Sequence, residues 1–231
     1  MNGTHRRLIF AAMTILMAML SMHGSMLAAV DTRSDLAQVV ASVNQSRQPI
    51  YRALRRLEAG VPGSPRHGWL KVWTEQTPDR GFAFGVLSEG GNGYVRNKVL
   101  RNVLENEQQL IAAGHPLSAP LVPGNYTFND RGADQMGMLK VGLTPLRKAY
   151  GLVDGSALID AGASRLLRLE GRLVKSPSFW VRNVDIVWKY ALVGGETLPT
   201  ELSSTAKVRM FGSSTFRMQY RYETVSGRPV Q

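Results

Sequence analysis

The chain has 231 residues, 44% hydrophobic and 19% charged, enough for one domain with a sizeable core, and no long stretch has a disordered composition. It has no cysteine, which excludes a disulfide framework, a cysteine nucleophile, cysteine-ligated zinc and lipidation at an N-terminal cysteine. Lys and Arg number 28 against 17 acidic residues, for +11 at pH 7. That balance favours acidic partners: anionic lipid head groups, lipopolysaccharide or acidic polymers.

The N-terminus reads as an export signal. Arg6 and Arg7 are basic, Leu8 to Leu20 is an uncharged apolar run, and Ser21 to Ala29 ends in small residues. The apolar run is short for a bilayer span. Residues 1–29 are therefore expected to be a signal peptide. Residues 30–231 are expected to form one mature domain, free in a periplasm and not lipidated. Every acidic residue lies beyond Ala29, so the mature chain keeps +9. Its Lys and Arg are scattered singly, not in a dense block. Together with export, that argues against nucleic acid as a partner.

Asp31 to Val43 predicts an amphipathic helix, with Leu36, Val39, Val40 and Val43 at i, i+3, i+4 and i+7 and Ser34 as its cap. Ile50 to Glu58 fits neither the helical nor the strand template cleanly. Trp69 to Thr74 and Phe82 to Ser88 flank the turn Pro78-Asp79-Arg80-Gly81 and predict a hairpin; Gly90 to Gly93 is a second turn. Asn97 to Ala113 predicts a second helix. Its apolar stripe is Val99, Leu100, Val103, Leu104, Leu110 and Ile111, with Asn97 as cap and Gly114 and Pro116 as the stop. Glu105 and Glu107, two apart, point in different directions.

From Asn125 onward the pattern is strands only, near 125–129, 136–144, 149–160, 164–175, 179–193, 197–211 and 213–225. Trp180, Val184, Ile186, Trp188, Tyr190 and Leu192 fall on one face of the long strand. In the last, Phe216, Met218, Tyr220 and Tyr222 oppose Arg217, Gln219, Arg221 and Glu223. Consecutive long strands with tight turns make an antiparallel meander that must curl to protect its edges. The fold class is mainly β (α+β): a large curved antiparallel sheet, an open or half-closed barrel, with an N-terminal and a second helix over the apolar concave face.

Catalytic motifs are missing. Beyond the signal only His67 and His115 remain, each in a loop, and no metal-ligand spacing is present. There is no GxSxG, P-loop or complete GxGxxG. Glu170 and Asp185 could meet only through folding. Neither enzyme activity, nor metal, nor cofactor is expected. The alternative to an ordinary packed core is an apolar cavity lined by the sheet's aromatic residues.

Several C-terminal segments carry a family resemblance: Leu152-Val153-Asp154-Gly155, Arg168-Leu169-Glu170-Gly171, Lys175-Ser176-Pro177-Ser178-Phe179-Trp180, Tyr190 and Gly194-Gly195 with Leu198-Pro199, and Gly212 with Phe216 and Tyr220. These strand-and-turn patterns resemble the exported outer-membrane lipoprotein-sorting, lipoprotein-carrier-like (LolA-like) proteins, as do the Trp69 to Phe84 hairpin and the helix before it. The resemblance covers about residues 31–226. It implies an open or half-closed barrel with helices as a lid over an apolar cavity, and no cofactor or reaction.

The expected function is periplasmic binding of a lipid or of a lipoprotein acyl chain, in lipid or lipoprotein trafficking, with peripheral membrane contact. The lining is assigned to Trp180, Trp188, Tyr190, Phe216, Met218 and Tyr220, with Phe82 and Phe84 behind them. The alternative is a non-enzymatic module that binds an envelope protein partner through a sheet edge or groove.

Overall fold

The structure, a computed structural model, describes residues 36–44, 49–114, 119–175, 181–208 and 212–230. The signal segment, Ser34, His115, Pro116 and Trp180 lie outside the described residues.

Helix α1 (residues 36–42) precedes three strands, β1 (Tyr51–Gly60), β2 (His67–Thr77) and β3 (Gly81–Gly91). A π-helical turn, Val95–Leu100, leads into α2 (Arg101–Ala112). Then come β4 (Tyr126–Ala133), β5 (Leu139–Pro145), β6 (Val153–Asp160), β7 (Arg165–Leu173), β8 (Val181–Val193), β9 (Glu196–Val208), β10 (Gly212–Val225) and the short β11 (Arg228–Pro229).

All eleven strands belong to one sheet. Its order is β3-β2-β1-β10-β9-β8-β7-β6-β5-β4, with β11 beside β10. Every pairing is antiparallel. Strands β3 and β4 end the sheet without pairing to each other, so it is open. The mainly β architecture with two helices is the one the residue patterns predict.

The stretch that fits neither template is β1, third from the β3 edge and paired on both sides, with β2 and β10. Tyr51, Ala53, Arg55, Leu57 and Ala59 are buried and alternate with more exposed neighbours. A charge on the buried side and Leu54 on the other blur the period-2 signal.

The second helix also starts earlier than predicted. Asn92, not Asn97, caps it: Asn92 Oδ1 accepts from the Val95 N–H at 3.2 Å. Asn97 lies inside the π-helical turn, where its Oδ1 accepts from Arg101 Nε. Arg101 N–H reaches back five residues to Arg96 O, the wide turn that defines π geometry. The stop is at Gly114, with φ +73°, as predicted. Val99 and Leu110 turn out exposed; the buried stripe is Leu100, Leu104 and Glu107, flanked by Val103 and Ile111.

On the outer face of β2, two tryptophans close the gaps left by glycines on the edge strand. Trp73 lies over Gly85 and Trp69 over Gly90, their directly paired residues. Arg56 lies over the Trp69 ring at 4.9 Å.

Candidate functional site

One row of cross-strand partners crosses eight strands from β2 to β5: Leu70, Leu57, Met218, Leu202, Trp188, Leu169, Ala157 and Val141. Directly paired residues in antiparallel strands share a face. The row therefore defines the inner face of the sheet, on which both helices sit.

The helices cover the two ends of that row. Val40 of α1 joins a core with Val141, Ala157, Leu169 and Ile186. Asn44, just past α1, holds the helix in place: its side chain donates to Leu121 O at 2.7 Å and accepts from Leu121 N–H at 2.8 Å. At the other end, Leu100 and Leu104 join a core with Leu57, Leu70, Val72, Phe82 and Met218. Trp188 and Leu202 are packed against both cores but only half-buried. Cover is thus complete at both ends of the row and partial at its centre.

Of the aromatic residues assigned from sequence, those among the described residues gather on this face. Phe82 and Met218 are fully buried beneath α2, while Phe84, Phe216 and Tyr220 pack beside them half-buried. Tyr190 follows Trp188, ring to ring at 6.2 Å. In the next row, the small Ser204 separates Phe216 from Ile186, so no bulky side chain fills that position. Leu192 is not covered; it is 55% exposed near the end of β8.

The least expected feature is ionic. Arg55 and Glu107 are both buried and form a two-pronged pair, Nη1 to Oε2 at 2.7 Å and Nη2 to Oε1 at 2.9 Å. Arg55 Nη2 also donates to the Tyr51 hydroxyl. Three rings face the guanidinium: Tyr220 at 4.5 Å, Phe82 at 5.0 Å and Tyr51 at 5.7 Å. Such a pair is tolerated in an apolar core because two hydrogen bonds and the ring faces offset the lost hydration. Its effect is to fix α2 to β1.

Burial works against the charge on Arg55, but Tyr220, Glu107 and Tyr51 outweigh it, so its pKa stands well above the ordinary guanidinium value. Burial pushes the Tyr51 hydroxyl up to about 12, with the adjacent Arg55 opposing and Glu107 adding to the rise. Burial also raises the hydroxyls of Tyr190 and Tyr220.

The acidic groups considered for catalysis stay apart. Glu105 is exposed while Glu107 is buried. Asp185 pairs with Arg172, and Glu170 with Arg168 and Lys140. His67 is exposed at the start of β2. Among the described residues no group of three or more His, Asp or Glu could hold a metal ion, and no helix is long and apolar enough to cross a membrane.

No family model and no curated protein matches the chain. Among solved structures, it is similar to a LolA superfamily protein from Nitrosomonas europaea, at 8% identity and TM-score 0.41, over 82% of this chain and 91% of that one. It is similar also to a DUF1329 family protein from Desulfovibrio piger, at 12% identity and TM-score 0.40, over 85% and 92%. A third likeness is to lipovitellin, at 10% identity and TM-score 0.34, over 79% of this chain and 26% of that one.

Proposed function

We propose that the protein is an exported, non-enzymatic binder of lipid or of lipoprotein acyl chains in the bacterial periplasm. The acyl chain would lie on the inner face of the sheet, between α1 and α2. The observation that carries this reading is the change in burial along the cross-strand row. Its ends, from Leu70 to Met218 and from Leu169 to Val141, are sealed, while Leu202 and Trp188 at its centre are half-buried.

An apolar strip left partly open between two sealed cores suits a flexible apolar ligand. Trp188, Tyr190, Phe216 and Tyr220 would line it, with Phe82, Phe84 and Met218 as the adjoining wall. Each methylene moved there from water would contribute about 0.8 kcal/mol. Trp180, assigned to the same lining from its place in the strand, belongs to this proposal by sequence alone. The test is native mass spectrometry, with solvent extraction, of protein purified from periplasm without detergent. A stoichiometric lipid or acylated peptide is expected. A clean apo mass, together with no uptake of a fluorescent fatty acid, would overturn the reading.

The second reading is a module that binds an envelope protein through a sheet edge. It is supported by the contrast between the two terminal strands. Strand β4 carries Asp130 and Arg131 and a break in register before Ala133, features that discourage edge pairing. Strand β3 also carries a charge, Glu89, and a register break at Leu87, but it has no Lys, Arg or Pro and leaves Leu87 54% exposed. This reading predicts a defined protein partner and no extractable lipid.

A further inference from the structure

The connection between β5 and β6 is built to hold apolar side chains in water. Leu146 is 58% exposed and Tyr150 64%, four residues apart in one short loop. The loop is not slack. Leu146 N–H donates to Asn125 O at 2.9 Å. Arg147 donates to Gly124 O at 3.0 Å and to Asn125 Oδ1 at 2.8 Å. Ala149, between them, packs against the core beneath α1. A loop fixed this way cannot turn its apolar tip inward, so the exposure of Leu146 and Tyr150 is a property of the fold.

The charge around that tip has one sign. Lys148 is exposed and has no ion-pair partner among the described residues. Arg147 spends its hydrogen bonds on neutral oxygens, which leaves its charge uncompensated. Lys175, just beyond β7, lies over the Tyr150 ring at 3.9 Å. No acidic residue falls between Pro145 and Val153; the first is Asp154, inside β6. One aliphatic residue, one tyrosine and three cations thus meet at one end of the sheet. Tyrosine and Lys stems favour the boundary between head groups and acyl chains, and Lys and Arg favour anionic head groups.

We propose that this loop docks the protein on an anionic lipid bilayer. Leu146 and Tyr150 enter the head-group boundary, while Arg147, Lys148 and Lys175 lie against lipid phosphates. The proposal concerns docking and stands apart from whether the inner face carries an acyl chain.

Flotation of the mature protein with vesicles tests it, comparing mixed phosphatidylglycerol and phosphatidylcholine with phosphatidylcholine alone. Binding to the anionic vesicles is expected, with loss at high salt. Lys148→Glu with Lys175→Glu should weaken it about tenfold or more, given the attraction of each basic residue to an anionic surface. Leu146→Ser with Tyr150→Ser should weaken it comparably and leave fatty-acid uptake unchanged. Equal binding to neutral and anionic vesicles, no binding to either, or full binding by both double variants would overturn the proposal. Vesicle binding by a protein with a clean apo mass and no fatty-acid uptake would overturn the acyl-chain reading and leave this one standing.

Discussion

Arg55 of β1 and Glu107 of α2, 52 residues apart in the chain, meet as a buried ion pair with two hydrogen bonds. Each sits where its element's pattern calls for an apolar residue. Together they make the strongest polar link between the helical cover and the sheet.

Removing one partner should cost much more than removing both. Glu107→Ala leaves Arg55 charged and buried and is expected to destabilise the protein by about 3–5 kcal/mol. The pair Arg55→Met with Glu107→Leu should recover most of that loss. Urea denaturation followed by circular dichroism measures both, and a double variant no more stable than Glu107→Ala would contradict the account.

Alkaline pH should weaken the same cluster through Tyr51. Its folded-state pKa, about 12, lies above the ordinary 10.0, so the folded state keeps the proton longer than the unfolded chain does. The stability contributed is fully present below pH 10 and is lost as pH rises towards 12. Denaturation midpoints measured from about pH 9 up to 12, a range that spans both values, should fall less steeply in Tyr51→Phe than in the parent.

Trp188 should matter more for ligand than for fold. It is half-buried between two cores that are sealed without it. Trp188→Glu is expected to abolish uptake of a fluorescent fatty acid while the strand signature persists. Unchanged uptake by a folded Trp188→Glu protein would remove Trp188 from the lining.

Two glycines should behave very differently. Gly155 on β6 faces Gly171 on β7, and a Cβ added to Gly155 would lie 2.0 Å from Glu170 O and 2.6 Å from Gly171 Cα. Both obstacles are main-chain atoms, so Gly155→Ala must push the strands apart, at a cost of about 1–3 kcal/mol or more. Gly162, in the turn between the same strands, has nothing nearer than 3.7 Å, and Gly162→Ala should be close to neutral. Thermal melts of the two variants make the comparison.

Much of the fold was legible along the chain. From β4 to β10 the alternation of apolar and polar residues, punctuated by turn glycines, marks consecutive antiparallel strands. The last strand follows its predicted faces, with Phe216, Met218, Tyr220 and Tyr222 more buried than the residues between them. These signals are local, because a strand's side-chain period and a turn's steric demands are set by neighbouring residues.

The site was legible only in part. The proposed aromatic lining was assigned because those residues share strand faces, but Arg55 and Glu107 were not singled out, because each reads alone as a misplaced charge. A signal was present: Glu107 lies three residues after Leu104 and seven after Leu100, on the buried stripe, and Arg55 lies at a buried position of its strand's alternation. Two such misfits of opposite sign in different elements point to a pair, but sequence spacing does not say that they meet.

The sequence by itself determined most of the strands and turns and the inward faces of several of them, since these follow from backbone geometry and short-range periodicity. Tertiary structure alone decided that β1 lies beside β10, where the two runs of strands join into one open sheet. It alone decided that α1 and α2 seal the ends of a single row and leave Trp188 and Leu202 half-buried at its centre. Those relations depend on contacts between residues far apart in the chain, and no local pattern encodes them.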